Sequence, residues 1–142
     1  MKLKQISLFS ENKPGALTAP CAILQKEGID ISTLMLADTK EYGILRILTR
    51  DWEKAKQALE KSGFTVRVTD VVAVQIDDRP GGLLCVLKAL EACGIDINYM
   101  YAFTESRDNK AVVIFRFENP DAAIECLDKA GIGVVDGLSL FA

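Results

Sequence analysis

The sequence contains no histidine in its 142 residues. Histidine titrates nearest neutrality and is the commonest metal ligand, so the usual general base and the usual ligand are missing together. No run of eighteen apolar residues occurs, and no segment reads as a bilayer-spanning helix. The opening stretch MKLKQISLFSENKPG is too polar, and its apolar part too short, for a secretory leader, and no small-residue cleavage site follows. Four cysteines (Cys21, Cys85, Cys93 and Cys126) show no C-x-x-C spacing and fall inside apolar helical patterns. They read as buried reduced thiols, not as metal ligands or a disulfide. Charge of one sign is also scarce: the formal net charge is -3, with 26% charged residues of both signs, which gives no electrostatic footprint for nucleic acid or an anionic membrane. These absences lead to the expectation of a cytoplasmic chain with no cofactor, no metal, no nucleic-acid partner and no membrane partner.

What is present is one pattern written twice. Shifted by 66 residues, Asn12-Lys13-Pro14-Gly15-Ala16-Leu17 falls on Asp78-Arg79-Pro80-Gly81-Gly82-Leu83, and Gly28-Ile29-Asp30-Ile31 falls on Gly94-Ile95-Asp96-Ile97. With Leu24 on Leu90, eight of twenty positions from 12–31 and 78–97 are identical. A two-residue insertion between the second and third strands of the second copy moves the shift to 68, which pairs Ala55 with Ala123, Leu59 with Leu127, Gly63 with Gly131 and Val66 with Val134. A repeat at this period is a structural unit used twice.

Each copy reads as strand, helix, strand, strand, helix, strand. In the first strand Ile6 and Leu8 alternate with Gln5, Ser7 and Phe9, and the second copy has Val72, Val74 and Ile76 at the matching places. Pro-Gly then leads into a helix, with proline suited to its first position, and Leu17, Cys21 and Leu24 (Leu83, Leu87 and Leu90) form one face. Gly28 and Gly94 sit where a helix C-cap glycine belongs. Strand two is expected over 29–37 and 95–103, and polar turns over 38–41 and 104–109 follow it. Strand three is expected over 44–49 and 112–117. A second helix opens at Asp51 or Asn119, with Pro120 at its first position, and ends at Gly63 or Gly131. Strand four is expected over 64–69 and 132–140. Pro20 stands where a first-helix interior is expected, which predicts a kink or an irregular first turn. The pattern is α+β: two tandem ferredoxin-like βαββαβ domains, 1–69 and 70–142, with antiparallel sheets and helices on one face. The short join from Val66 to Val72 predicts a rigid pair of modules.

The turn before the first helix is the candidate site. A helix N-terminus exposes main-chain N–H groups and partial positive charge, which suit a carboxylate. Gly15 allows close approach to the backbone, and Asn12 offers both a donor and an acceptor. Asp30, at the start of strand two, is expected to face this loop and to receive an ammonium group. Asp78, Gly81, Gly82, Asp96 and Asn98 occupy the matching places. A free amino acid carries both charges a few ångströms apart. The bland alternative is that Pro-Gly merely starts a helix and that the aspartates are solvated.

The strings ENKPGALTAPCAILQKEGIDIS and DDRPGGLLCVLKALEACGIDIN resemble the opening of an ACT domain, the regulatory module of amino-acid-metabolic enzymes, and are close in form to its serine-sensing type at the end of phosphoglycerate dehydrogenase. The resemblance covers essentially the whole chain as two domains. It implies effector binding where the loop before helix one meets strand two and the helix of a neighbouring ACT domain. Carried across, the ligand-binding residues are Asn12, Lys13, Pro14, Gly15, Ala16, Leu17, Asp30 and Ser32, and Asp78, Arg79, Pro80, Gly81, Gly82, Leu83, Asp96 and Asn98. Asp30 and Asp96 stand where the serine-sensing type has asparagine, and Ser10 and Ile76 replace a basic residue that helps bind the effector. The resemblance implies a non-catalytic sensor of a small amino acid or similar metabolite, with a regulated enzyme or transporter as partner and a homo-oligomeric state.

Three other classes share the plan. Acylphosphatase needs an arginine phosphate cradle, and the first loop holds Lys13 and one glycine. RNA-recognition domains stack bases on aromatics of strands one and three, and Phe115 and Phe117 are the only hint of that. A pure interaction module remains, with Tyr99 and Tyr101 on strand two of the second copy either marking a pairing edge or half-buried.

Overall fold

The computed structural model describes residues 1–38, 41–103, 106 and 108–141. Of the expected polar turns, Thr39, Lys40, Thr104, Glu105 and Arg107 lie outside the described residues, as does Ala142. The chain order is β1 (Leu3–Glu11), α1 (Thr18–Lys26), β2 (Thr33–Asp38), β3 (Tyr42–Leu48), α2 (Trp52–Lys61), β4 (Val66–Asp77), α3 (Gly82–Ala92), β5 (Ile97–Ala102), β6 (Lys110–Phe117), α4 (Pro120–Lys129), β7 (Val134–Val135) and α5 (Gly137–Leu140). Two compact units result: Lys4–Thr69, and Met1–Leu3 with Asp70–Ala142.

In the first unit the strand order is β2-β3-β1-β4, to which β4 contributes its opening residues. Both β1 and β2 pair antiparallel with β3. Register explains the core. Ile6 pairs with Ile47 and Leu8 with Leu45, so these four side chains share one sheet face. They pack with Leu24 of α1 and Ala55 and Leu59 of α2, all buried. In the second unit the order is β5-β6-β4-β7, the same plan. Val72, Val74, Val113, Phe115 and Phe117 meet Val86 and Leu90 of α3 and Ala123 and Leu127 of α4. Phe115 and Phe117 are fully buried and stacked on each other at 5.5 Å, so they are core and present no face to a base. Tyr101 is nearly buried and Tyr99 half-buried, on the strand at the end of the sheet.

Local chemistry sets the element ends. Gly28, Gly63, Gly94 and Gly131 all follow helices with φ between 68° and 92°, where a side chain is strained. Asn119 caps α4 by accepting from the Ala122 N–H at 3.1 Å, with Pro120 in the first turn. Asp51 makes no such side-chain cap at α2.

Several expectations need correction. Helix α1 starts at Thr18, so the buried Pro20 falls in its first turn, where a missing N–H removes little; residues 14–17 form a turn instead. Pro14 and Pro80 precede the helices and do not open them. Strands β2 and β5 begin at Thr33 and Ile97, later than expected. The last strand of the second copy is cut to Val134–Val135, because Asp136 accepts from the Ser139 N–H at 2.8 Å and starts α5. That hydrogen bond also holds the Asp136 carboxyl below the usual carboxylate range.

The cysteines also depart from the reading. Cys93 and Cys126 form a disulfide, while Cys21 is half-buried and Cys85 exposed. The two partners lie 33 residues apart on different elements, and only the packing of α3 against α4 brings them together.

A fully buried phenylalanine in a packed core predicts a large truncation effect. Phe115→Ala should destabilise the second unit by about 3–5 kcal/mol in chemical denaturation, whereas an RNA-stacking residue would be removed with little loss.

Candidate functional site

The loop between the first strand and first helix repeats the same backbone hydrogen bonds in both units, although α3 starts two positions earlier in its copy than α1. Lys13 N–H donates to the Glu11 carbonyl, as Arg79 does to Asp77, both at 2.9 Å. Ala16 N–H donates to Lys13, as Gly82 does to Arg79, and Ala19 to Gly15, as Cys85 does to Gly81. Asn12 N–H reaches the Glu41 carbonyl and Asp78 N–H that of Asn109, which ties each loop to the turn before the third strand. Gly15 and Gly81 hold φ of 86° and 87°. That left-handed residue, open around its missing Cβ, turns the chain from strand to helix.

One consequence is chemical. Among the described residues, no acceptor takes the N–H of Gly15, Leu17 or Thr18, nor that of the matching Gly81, Leu83 or Leu84. Three main-chain donors per loop therefore stand at a helix N-terminus, at an exposed surface where Asn12 to Gly15, Leu17 and Asp78 to Gly81 are all solvent-accessible. Beside the first loop lies Gly43 of β3. A Cβ there would come within 2.9 Å of the Leu36 side chain and 3.6 Å of Asn12 Oδ1, so glycine lets the loop sit close to the end of β2.

An acid and a base brace each loop at its root. Lys13 Nζ lies 2.9 Å from Glu11 Oε2, and this pairing lowers the Glu11 pKa and raises that of Lys13. In the second unit Asp77 pairs with Lys110 of β6 and with Arg79 at 3.2 Å, and Lys110 first, then Arg79, holds the Asp77 carboxyl below its ordinary range. The basic side chains Lys13 and Arg79 are thus engaged with neighbouring carboxylates.

The structure separates the other expected residues from these loops. Ser32 N–H bonds the Leu48 carbonyl, and Thr49 Oγ1 donates to the Asp30 carbonyl at 2.7 Å, so Asp30 and Ser32 sit at the far end of β3 from Asn12. Seven residues of β3 intervene, roughly 20 Å of strand. Asp96 and Asn98 lie likewise at the far end of β6, where Ile97 pairs with Phe117 and Asn98 donates to Glu118 at 3.4 Å. The expectation that Asp30 faces the loop of its own module is therefore corrected. The helix runs between them, so Asp30, three residues past its C-cap Glu27, does not return to its N-terminus. Sequence reading missed Gly43, Lys110 and Leu36, because only strand pairing brings them to the loop. Among the described residues no group of three or more His, Cys, Asp or Glu is placed to hold a metal ion, and no helix is long and apolar enough to cross a membrane.

Two βαββαβ units with 4-1-3-2 strand order and a matched glycine loop define a duplicated ferredoxin-like chain. It belongs to the ACT domain pair family, whose model matches residues 1–140. The chain resembles the crystal structure of protein BT0572 from Bacteroides thetaiotaomicron at 40% identity and TM-score 0.92, covering 99% of this chain and 96% of that one. The fold is shared with the regulatory subunit of aspartate kinase from Thermus thermophilus in its ligand-free form (18% identity, TM-score 0.64, 89% and 91% covered). It is also shared with that of Thermus flavus (19% identity, TM-score 0.60, 90% and 92% covered). None of the curated proteins matches the chain.

Two predictions follow from the loop. A Cβ on Gly82 would lie 2.0 Å from the Asp77 carbonyl oxygen. Gly82→Ala should destabilise the second unit by at least about 1–3 kcal/mol in thermal unfolding, while Ala16→Gly at the matching position should leave the first loop intact. The Asp77 brace depends on pH with a fixed sign. A lowered folded pKa gives stability that is complete above the ordinary aspartate value of about 3.9 and is lost as pH falls through the lowered one. In Lys110→Met, the Asp77 carboxyl followed by NMR should titrate at higher pH than in the native chain.

Proposed function

We propose that this chain is a non-catalytic sensor of a small amino acid or similar metabolite, with the carboxylate of the ligand received by the loop donors at Gly15, Leu17 and Thr18 and by their counterparts at Gly81, Leu83 and Leu84. The observation that carries this reading is the duplicated loop: four hydrogen bonds and one left-handed glycine recur at matching positions and leave the same three N–H groups without an acceptor among the described residues. A set of uncommitted donors at a helix N-terminus complements an anion. Membership in the ACT domain pair family supports an amino-acid ligand.

The ammonium end needs an acceptor that the same module does not bring to the loop. Asp30 or Asp96 of a second copy of the chain supplies it in this reading, which makes the site complete only in a homo-oligomer. Ser32 and Asn98, next to those aspartates, belong to the same contributed edge. Binding that differs between two states of a regulated enzyme or transporter would then shift its equilibrium. The absence of histidine is consistent with no catalysis, and a cytoplasmic setting fits a metabolite sensor.

A dimerisation module of the same fold is the competing reading. Leu34 and Leu36 on the end strand β2 are about half exposed and favour it, since apolar edge residues suit pairing with another chain.

Calorimetric titration of the full chain with each of the twenty amino acids separates the two. The sensor reading expects one or a few to bind at millimolar concentration or tighter, and Gly15→Val with Gly81→Val to weaken that binding at least tenfold. Titrations silent for all twenty amino acids, with a dimer still present by sedimentation, would leave the scaffold reading.

A further inference from the structure

Helix α3 carries the second loop at its N-terminus, where Gly81 is its N-cap, and ends at Cys93, its C-cap residue. Cys93 is exposed, whereas Cys126 is only 6% exposed and is part of the core formed with Ala123, Leu127, Val86 and Leu90. The disulfide therefore ties the end of α3 to α4 through one residue in the core and one exposed residue. The first unit makes the corresponding tie without a covalent bond. The positions matching Cys93 and Cys126 are Glu27 and Ala58, and there Lys54 Nζ of α2 donates to the Glu27 carbonyl, at the C-cap of α1, at 2.8 Å. A weaker tie at the same place thus suffices for a folded module, and only the second one carries a bond that chemistry can open.

We infer that the Cys93–Cys126 disulfide is a reversible redox site through which a dithiol reductant loosens α3, and with it the loop at Asp78 to Gly81, in the second unit alone. One thiolate of the reductant attacks Sγ of the exposed residue Cys93, the Cys93–Cys126 bond breaks, and Cys126 Sγ leaves and takes a proton. The second thiol of the reductant then attacks the mixed disulfide, which releases Cys93 as a thiol and leaves the reductant as its own disulfide. Two electrons and two protons enter the protein. The exposed position of Cys93 is the side from which exchange can start, and a cross-link in a metabolite sensor of the cytoplasm, the setting proposed above, is of the kind that senses redox state. Cys126 remains in the core as a small apolar thiol, so the reduced unit keeps its packing. What it loses is the covalent restraint between the loop-bearing helix and α4.

The test uses the full chain, purified without reductant, and needs no ligand, so its outcome is independent of the sensor reading. Thiol titration in denaturant should find two reactive thiols, Cys21 and Cys85, and four after treatment with dithiothreitol. Reduction should lower the thermal midpoint of the second unit by about 10–20 °C. Hydrogen exchange resolved by NMR should become severalfold faster at the bonded amides of Arg79, Gly82 and Cys85, while those of Lys13, Ala16 and Ala19 keep their rates. Cys93→Ser should reproduce the reduced behaviour without reductant. Should that variant fold poorly, the reduced native chain carries the test alone. Four thiols before reduction, or unchanged exchange at Arg79, Gly82 and Cys85 after it, would overturn the inference.

Discussion

Each candidate loop depends on one backbone conformation, a left-handed glycine between the first strand and the first helix of its unit. At φ of 86° and 87°, Gly15 and Gly81 turn the chain from the first strand toward the helix that follows. A residue with a Cβ is strained there. The turn would otherwise open, and the hydrogen bonds from Ala16 to Lys13 and from Gly82 to Arg79 would lose their geometry. The sheet positions the turn. Register between β1 and β3, and between β4 and β6, brings the loop to the end of the third strand, where Asn12 and Asp78 are held. The cores behind those sheets fix the register, because a one-residue slip would expose Ile6 and Leu8 or Val72 and Val74.

The two units use this frame with different side chains. The first pairs Glu11 with Lys13 and places Tyr42, in edge contact with Phe9 at 6.1 Å, where the second has Lys110. The second gathers Asp77, Arg79 and Lys110 into one charged cluster. Asn12 is matched by Asp78, and Gly43 by Ala111. The backbone donors are alike, and the electrostatic surroundings are not. A duplicated chain of this kind has two chemically distinct loops, and equal affinity for one ligand is not expected of them.

Much of the fold is legible in the sequence because its signals are local. The C-cap glycines, the alternation in Ile6 and Leu8, and the Asn119-Pro120 helix start each depend on a few neighbouring residues, and duplication states each of them twice. The loop is legible for the same reason. What depends on packing is not. Cys93 and Cys126 meet only because α3 lies on α4. Gly43 and Lys110 reach the loops only through strand pairing. Asp30 lies the length of β3 from Asn12, and proximity along the chain suggests a cradle that the fold pulls apart. The short β7 was hidden by an apolar run, Ile132 to Leu140, within which Asp136 and Gly137 start a helical turn.

The central claim is that the loop amides receive the ligand. Backbone amide shifts of the isotope-labelled full chain, followed while an amino acid that binds is added, test it most directly. Saturable movement centred on Gly15, Leu17 and Thr18, on Gly81, Leu83 and Leu84, or on both sets, is the predicted result. A ligand that saturates the chain while all six of those amides stay fixed would contradict it.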